Sequence, residues 1–234
     1  MQNAERLIVA LDLPERSQAD ALATSLQAAV RWYKIGLELY SAEGPSLVRD
    51  YVKLGRQVFV DLKLHDIPAT VARATSRLAG LGAGLLTVHS SGGKAMMSAA
   101  VEGAAKGNQS ERLKILAVTA LTSLDQDDLV AVGIGMPMRE LVIQRALLAV
   151  DAGCDGVVAS PHEATALRAV LPDDFLIVTP GVRPQGAELG DQKRVMTPAQ
   201  ARAAGSDMIV VGRPIRDASD PLAAAQSIIA ELGA

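Results

Sequence analysis

Short runs rich in Val, Ile and Leu alternate along the chain with longer amphipathic stretches rich in Ala and Leu. This alternation is typical of βα units that assemble a parallel sheet. Seven of the predicted strands have a helix-like stretch before the next strand, and residues 221–232 form one after the eighth. Eight such units favour an α/β fold closed as a (β/α)8 TIM barrel over an open doubly wound sheet. The predicted strands cover residues 7–12, 32–37, 57–64, 85–89, 114–121, 156–160, 176–182 and 208–212.

Turn and capping residues indicate where several helices begin. Thr197 followed by Pro198 predicts a helix N-cap with proline in the first helical position. Asp125 predicts a second cap, and a helix is expected over about residues 66–81. No linker or low-complexity segment interrupts the alternation, so we expect one catalytic barrel domain over residues 1–234.

The longest stretch without clear periodicity is residues 183–196, which follow the seventh predicted strand. In a barrel of this type, loops after strands lie on the face where active sites are built. The stretch predicts either a mobile lid over the site or a long surface loop, and the sequence leaves both interpretations open.

Composition and charge narrow the class of protein. Hydrophobic residues make up 49% of the 234 positions, which allows a sizeable core. The formal net charge of −3 argues against nucleic acid or an anionic membrane as the main partner, but not against a small anionic substrate. Cys154 is the sole cysteine, so no intrachain disulfide can form, and a small buried residue is favoured over a nucleophile. With no apolar run long enough for a bilayer and no signal-peptide pattern, we expect a cytoplasmic protein.

The third predicted strand carries charges in an apolar context. Because strand side chains alternate between faces, Asp61 and Lys63 share with Phe59 the face that points into the barrel. Placing ions there costs several kcal/mol each unless they are paired. The pair could be a buried structural salt bridge, but its position near the carboxyl end of a strand favours catalysis.

Two further charged residues can join this pair. Asp66 lies just past the strand end, and Lys34 interrupts the apolar run of the second predicted strand. Together with Asp61 and Lys63 they make an alternating network of two cations and two anions, in which each group stabilises the charged form of its neighbours. Asp12, at the end of the first predicted strand, can either accept hydrogen bonds from sugar hydroxyls or cap a helix.

The histidines do not form a recognisable metal-binding pattern. His65 could line the site or simply be oriented by the turn in which it lies. His89 and His162 are far from it in the sequence, and no HxH or HExxH spacing occurs. We therefore expect no metal site.

A second constellation follows the seventh and eighth predicted strands. Gly181 and Arg183 follow the former, and Gly212 and Arg213 the latter. Loops after strands seven and eight of (β/α)8 barrels often bind phosphate. Glycine lets an anion approach backbone N–H groups closely, and arginine can bind it through two parallel hydrogen bonds. Gln192, in the intervening loop, could add a further hydrogen bond.

The segment DLKLHDIPAT, residues 61–70, resembles the signature of the orotidine 5′-phosphate decarboxylase family. Ala69 stands where the family pattern leads us to expect a polar residue. The resemblance covers essentially the whole chain, because it extends in order to residues 7–12, Lys34 and residues 118–123, 179–183 and 211–213.

This resemblance implies a carboxy-lyase that needs no metal or organic cofactor and converts orotidine 5′-monophosphate to uridine 5′-monophosphate and carbon dioxide in de novo pyrimidine biosynthesis. Lys63 would protonate the pyrimidine carbon, and Lys34, Asp61 and Asp66 would complete the charged network. Asp66 and Thr70 would reach the active site of the partner subunit, which implies a homodimer with shared sites. Asp61 and the partner's Asp66 would flank the substrate carboxylate.

The implied substrate-binding residues divide by the part of the nucleotide they contact. Asp12 and Lys34 would bind the ribose, Thr122 the pyrimidine, and the loops after strands seven and eight the phosphate. The full set implied by the resemblance is Asp12, Lys34, Asp61, Leu62, Lys63, Leu64, His65, Asp66, Ile67, Pro68, Ala69, Thr70, Thr122, Arg183, Gln192, Gly212 and Arg213.

Two alternatives remain open at the level of sequence. One is a magnesium-dependent keto-sugar phosphate decarboxylase or a related aldol enzyme, which would share the Asp61–Asp66 spacing but would carry an acidic metal ligand near the position of Lys34. The other is a barrel that only binds a nucleotide, which would gain nothing from opposed carboxylates beside an anionic ligand. Turnover in the presence of a chelator separates the three.

Overall fold

The computed structural model describes residues 2–107, 112–184 and 196–233. Within these ranges eight parallel strands pair in sequence order, and pairing of the first with the last closes the barrel. The (β/α)8 fold is therefore confirmed. The strands are β1 (Leu7–Ala10), β2 (Trp32–Gly36), β3 (Gln57–Leu64), β4 (Leu85–His89), β5 (Lys114–Val118), β6 (Gly156–Val158), β7 (Leu176–Thr179) and β8 (Met208–Val211).

Each strand begins at the residue expected from the sequence, whereas six of the eight end one to three residues earlier than expected. The difference falls at the carboxyl ends, because the chain turns there into the loops that surround the barrel mouth. Asp12 and Gly212, for example, lie just beyond β1 and β8 rather than within them.

Helices connect the strands on the outside of the barrel. In the described ranges they are α1 (Arg16–Ser25), α2 (Leu37–Glu43), α3 (Pro45–Lys53), α4 (Pro68–Ala79), α5 (Gly93–Ala105), α6 (Gln126–Ala131), α7 (Met138–Asp151), α8 (Pro161–Arg168), α9 (Pro198–Ala203), α10 (Arg213–Arg216) and α11 (Pro221–Glu231). None of the described helices is both long and apolar enough to cross a bilayer.

The expected helix caps are confirmed. The Thr197 hydroxyl accepts a hydrogen bond from the Gln200 backbone N–H at 3.2 Å, and the Gln200 side chain accepts one from Thr197 N–H at 3.0 Å. Asp125 accepts from the first-turn N–H groups of Asp127 and Asp128, each at 3.1 Å. These contacts satisfy backbone donors that the helix itself leaves without partners.

Two apolar cores lie on opposite faces of the sheet. The larger one fills the space between the strands and the helices and includes Val58 and Val60. The smaller one fills the barrel lumen and includes Phe59. The alternation expected for β3 is thus confirmed over these residues. The lumen core consists of Ile8, Ala10, Phe59, Leu85, Leu116, Val178, Met208 and Val210. Asp61 and Lys63 follow Phe59 along β3 and so lie on its carboxyl side.

Beyond Asp61, strand β3 departs from regular geometry. Val60 pairs with Leu86 and Leu64 with Val88, so the register between β3 and β4 shifts between these pairs. Lys63 has a φ of 50°, in the left-handed region that residues other than glycine rarely adopt. The strand therefore bulges where it carries its charged side chains.

Candidate active site

A cavity of about 430 Å³ opens at the carboxyl ends of the strands. It sits above the lumen core, and polar residues from the ends of β1, β2, β3, β7 and β8 surround it. Its polar lining comprises Asp12, Lys34, Asp61, Lys63, Thr122, Arg183, Arg213 and Arg216, with Gly181 and Gly212 among the backbone contributions.

Four side chains on one wall of the cavity form an alternating chain of charges. Lys34 Nζ donates to Asp12 Oδ1 at 2.7 Å and lies 3.6 Å from Asp61 Oδ2. Lys63 Nζ donates to Asp61 Oδ1 at 3.0 Å. Lys34, Asp61 and Lys63, three members of the expected network, therefore meet. Within this subunit the second anion of the network is Asp12 rather than Asp66. Asp12 caps no helix, since α1 begins at Arg16.

Asp61 is the most buried carboxylate of this chain of charges, with only 9% of the residue exposed. Burial by itself raises the pKa of Asp61. The positive charges of Lys34 and Lys63 and the hydrogen bonds from Lys63 and Thr87 outweigh burial, so the pKa of Asp61 lies below its ordinary value. Asp61 is therefore anionic at neutral pH.

Thr87 is a member of the site that the sequence interpretation missed. Its hydroxyl donates to Asp61 Oδ1 at 2.9 Å and accepts from the Lys63 backbone N–H at 2.9 Å. A polar residue in the otherwise apolar run of β4 was the available signal. Thr87 shares the strand face of Leu85, which packs in the lumen core.

The opposite wall of the cavity is cationic. Arg183 follows β7 and is 8% exposed, and Arg213 opens α10 directly after Gly212. Burial and the positive charge of Arg213 lower the pKa of Arg183. Both arginines line the cavity. An arginine pair beside two glycine-containing loops can bind a phosphate group. Gln192 lies outside the described residues, as does most of the predicted lid or surface loop.

Arg216, also unforeseen, lines the same cavity. Its Nη1 donates to the backbone oxygen of Asp12 at 2.8 Å, and its Nε donates to Asp217 Oδ1 at 2.6 Å. This guanidinium group ties the loop after β1 to α10 and so fixes the position of Asp12. Thr122 lines the cavity as expected.

The rest of the 61–70 segment lies away from the cavity of its own chain. Asp66 is exposed, and its Oδ1 accepts from the backbone N–H of Ile67 at 2.7 Å. Ile67 is 66% exposed. Asp66 therefore does not join the charged network within one chain. The residues of the expected set that do not line this cavity are Leu62, Leu64, His65, Asp66, Ile67, Pro68, Ala69 and Thr70.

Two of the three histidines are close in space, although their separation in sequence suggested otherwise. The rings of His65 and His89 lie 5.4 Å apart because β3 and β4 are neighbouring strands. Burial, with the charges of His65 and Lys63 adding to it, lowers the pKa of His89. In the part of the chain that the structure describes, no three His, Cys, Asp or Glu side chains are grouped so that they could hold a metal ion.

Comparison with known proteins gives matches along nearly the whole chain. Residues 5–228 match the family described as "Orotidine 5'-phosphate decarboxylase / HUMPS family". The orotidine 5′-phosphate decarboxylase of Anaeromyxobacter sp. (strain K) is 53% identical over 232 residues, which cover 99% of this chain and 100% of the relative. That of Bradyrhizobium sp. (strain BTAi1 / ATCC BAA-1182) is 51% identical over 228 residues, covering 97% and 91%.

Two solved structures also match this chain over nearly its whole length. The crystal structure of orotidine 5′-phosphate decarboxylase from Lactobacillus acidophilus matches with a TM-score of 0.89 and 40% identity, covering 98% of this chain and 100% of that one. An uncharacterized conserved protein from Geobacillus kaustophilus matches with a TM-score of 0.85 and 39% identity, covering 97% and 99%. This chain belongs to the orotidine 5′-phosphate decarboxylase / HUMPS family.

Proposed function

We propose that this protein converts orotidine 5′-monophosphate to uridine 5′-monophosphate and carbon dioxide without a metal or an organic cofactor. The observation that carries the proposal is the Lys63–Asp61 contact of 3.0 Å at the end of an apolar lumen, inside a cavity whose opposite wall holds two arginines. The names of the relatives that are 51–53% identical support this substrate.

Lys63 is the proposed proton donor. Loss of carbon dioxide breaks the bond between the carboxylate and the pyrimidine carbon and leaves the electron pair on that carbon. A cation beside the carbon stabilises the developing negative charge and can deliver the proton that completes the product. Lys63, 30% of whose side chain is exposed, then recovers a proton from solvent.

Asp61 is proposed to act on the substrate carboxylate. Two unit charges of the same sign about 4 Å apart repel by about 4 kcal/mol at an effective dielectric constant of about 20. Relief of that repulsion as carbon dioxide leaves corresponds to about three powers of ten in rate. The rest of the acceleration has to come from Lys63 and from binding energy at the distant phosphate.

The remaining side chains are proposed to bind the nucleotide. Arg183, Arg213 and the Gly212 backbone, together with Gln192, would hold the phosphate. Thr122 would contact the pyrimidine. Asp12 would accept hydrogen bonds from the ribose, beside the ammonium group of Lys34 at 2.7 Å.

The distribution of exposed residues supports a homodimer with shared sites. Asp66 points away from the cavity of its own chain, next to Ile67, a large apolar residue that is 66% exposed. Asp66 and Ile67 are therefore accessible to a second subunit, and the resemblance of residues 61–70 to the family signature implies that Asp66 serves the partner's site. We propose that Asp66 and Thr70 of each subunit complete the cavity of the other across a two-fold axis.

The position of Lys34 favours a reaction without metal over the magnesium-dependent alternative. Its ammonium group lies between the carboxylates of Asp12 and Asp61, at 2.7 and 3.6 Å. A divalent cation would need those carboxylates and would have to displace Lys34.

An absorbance assay with orotidine 5′-monophosphate, with and without a metal chelator, tests the proposal. We expect turnover that the chelator leaves unchanged. Turnover that the chelator abolishes would favour the metal-dependent alternative. Binding of the nucleotide without turnover would make the protein a nucleotide-binding barrel.

A further inference from the structure

The register shift between β3 and β4 singles out one residue. Between the pairs Val60–Leu86 and Leu64–Val88, β3 contributes three residues and β4 contributes only Thr87. Thr87 therefore faces the bulged segment that contains both Asp61 and Lys63. Bulges of this kind redirect side chains next to active sites.

The Thr87 hydroxyl closes a ring of contacts through that bulge. The Lys63 backbone N–H donates to Thr87 Oγ1 at 2.9 Å, and Thr87 Oγ1 donates to Asp61 Oδ1 at 2.9 Å. Lys63 Nζ donates a hydrogen bond to the same Asp61 oxygen at 3.0 Å. A backbone N–H can only donate and a carboxylate can only accept, so the hydroxyl proton has to point at Asp61. Thr87 has no exposed surface, and water cannot replace it without rearrangement.

We propose that Thr87 is a positioning residue, whose hydroxyl holds the Lys63 backbone in its left-handed conformation and fixes the Asp61 carboxylate so that the Lys63 ammonium group points into the cavity. This inference rests on the proposed decarboxylation, since it assigns Thr87 a part in that reaction. A non-glycine residue at a φ of 50° is held there only by its surroundings, and within the bulge the Thr87 hydroxyl contacts the Lys63 backbone N–H directly.

The Thr87→Val variant removes the hydroxyl and keeps the shape of the side chain. The Lys63 N–H loses its acceptor, so the bulge relaxes and the ammonium group moves away from its position. A displacement of about 1 Å in a reacting group can cost about 100-fold in rate. We expect kcat to fall by about 10- to 100-fold, with KM changed by less than about 3-fold, because the arginines at β7 and β8 are untouched. Thr87→Ser keeps the hydroxyl and should restore most of kcat.

Thr75→Val is the matched control. Thr75 lies on α4, is fully buried, and its Oγ1 has no hydrogen-bond partner among the described residues. This variant therefore makes the same chemical change in the core without touching the site, and its kcat should stay within about twofold of wild type. Circular dichroism checks that each variant is folded. If Thr87→Val is not, Thr87→Ala removes the same hydroxyl and is measured instead.

A second measurement does not depend on turnover. The carboxyl carbon of Asp61, identified by its absence in Asp61→Asn, can be followed by carbon-13 NMR as the pH is lowered. Besides Thr87, the groups that face or act on this carboxylate are Lys34 on β2, Lys63 on β3 and His89 on β4. Asp12, which follows β1, shares Lys34 with Asp61. These groups are the same in wild type and variant. Loss of the Thr87 hydrogen bond should therefore move the titration of Asp61 to higher pH in Thr87→Val.

The outcomes separate the two proposals. A fall in kcat at constant KM, restored by serine and accompanied by the shift in titration, supports the positioning role. A Thr87→Val kcat within twofold of wild type with an unshifted titration overturns it, and so does an equal loss in Thr75→Val. A wild-type protein that does not decarboxylate the nucleotide overturns the proposed function, while the titration still decides whether Thr87 orients Asp61.

Discussion

The two aspartates that contact Lys34 should differ sharply in what they contribute to stability. Asp12 Oδ1 is the nearer, at 2.7 Å from Lys34 Nζ, against 3.6 Å for Asp61 Oδ2. Distance alone would rank Asp12 first. Burial reverses the order, because 49% of the Asp12 side chain is exposed and only 12% of the Asp61 side chain is. Asp61 also pairs with Lys63 at 3.0 Å.

The magnitudes decide which effect dominates. At an effective dielectric constant of about 20, the gross attraction of Asp61 is about 5 kcal/mol to each lysine, before the cost of desolvation. Removing one partner from a buried pair costs about 3–5 kcal/mol, whereas exposed pairs contribute about 0–1 kcal/mol. Because Lys34 keeps Asp12 as a partner when the Asp61 charge is removed, we expect a cost at the lower end of the 3–5 kcal/mol range, that is about 3 kcal/mol. We expect Asp61→Asn to destabilise the protein by about 3 kcal/mol and Asp12→Asn by less than about 1 kcal/mol.

Urea unfolding of both variants at equal protomer concentration measures this difference, because any oligomer makes stability depend on concentration. The pH dependence adds a second test. The pKa of Asp61 is lower in the folded protein than in the unfolded chain. Its contribution to the free energy of unfolding is therefore fully present above the unfolded-state pKa of about 3.9 and is lost as the pH falls through the folded-state pKa. The difference in free energy of unfolding between wild type and Asp61→Asn should become smaller below about pH 4. An Asp12→Asn variant as unstable as Asp61→Asn, or a gap that persists in acid, would refute the reasoning.

Three further outcomes are expected. Gly36→Ala should lower kcat/KM by about tenfold or more, because its Cβ would lie 2.8 Å from Asp12 Oδ1 and has to displace that carboxylate; kinetics within twofold of wild type would contradict this. Burial raises the pKa of Cys154 to about 12, so a thiol reagent at pH 8 should modify it only after unfolding, and rapid labelling of folded protein would show the thiol to be accessible. Mixing inactive Lys63→Ala and Asp66→Ala protomers should regain activity on subunit exchange, since one site of each mixed dimer then carries neither change. Exchange without recovery would mean that Asp66 serves its own chain.

The fold was predictable because the apolar periodicity changes with each element and the strand starts follow recognisable turns. Lys34, Asp61 and Lys63 were predictable for a related reason, since charges within apolar strands are costly and signal a site. Thr87 was not, because threonine is common in strands and its contact depends on a two-residue register shift that strand alternation does not reveal. The proximity of His65 and His89 likewise follows from strand pairing rather than from spacing in the sequence.

The place of Asp66 shows a different limit. The sequence motif groups it with Asp61 and Lys63, yet in one chain it lies on the outside, because the strand has already ended and α4 begins at Pro68. A pattern within one chain cannot distinguish a residue that completes its own site from one that completes a neighbour's.

The most direct test of the account compares wild type with Lys63→Ala in the decarboxylation of orotidine 5′-monophosphate, with both proteins treated with chelator and checked by circular dichroism. Because Lys63 supplies both the cation beside the reacting carbon and the proton, we expect wild type to form uridine 5′-monophosphate and the folded variant to lose at least about three powers of ten in rate. A folded Lys63→Ala protein that turns over the nucleotide at a near-normal rate would contradict the central claim.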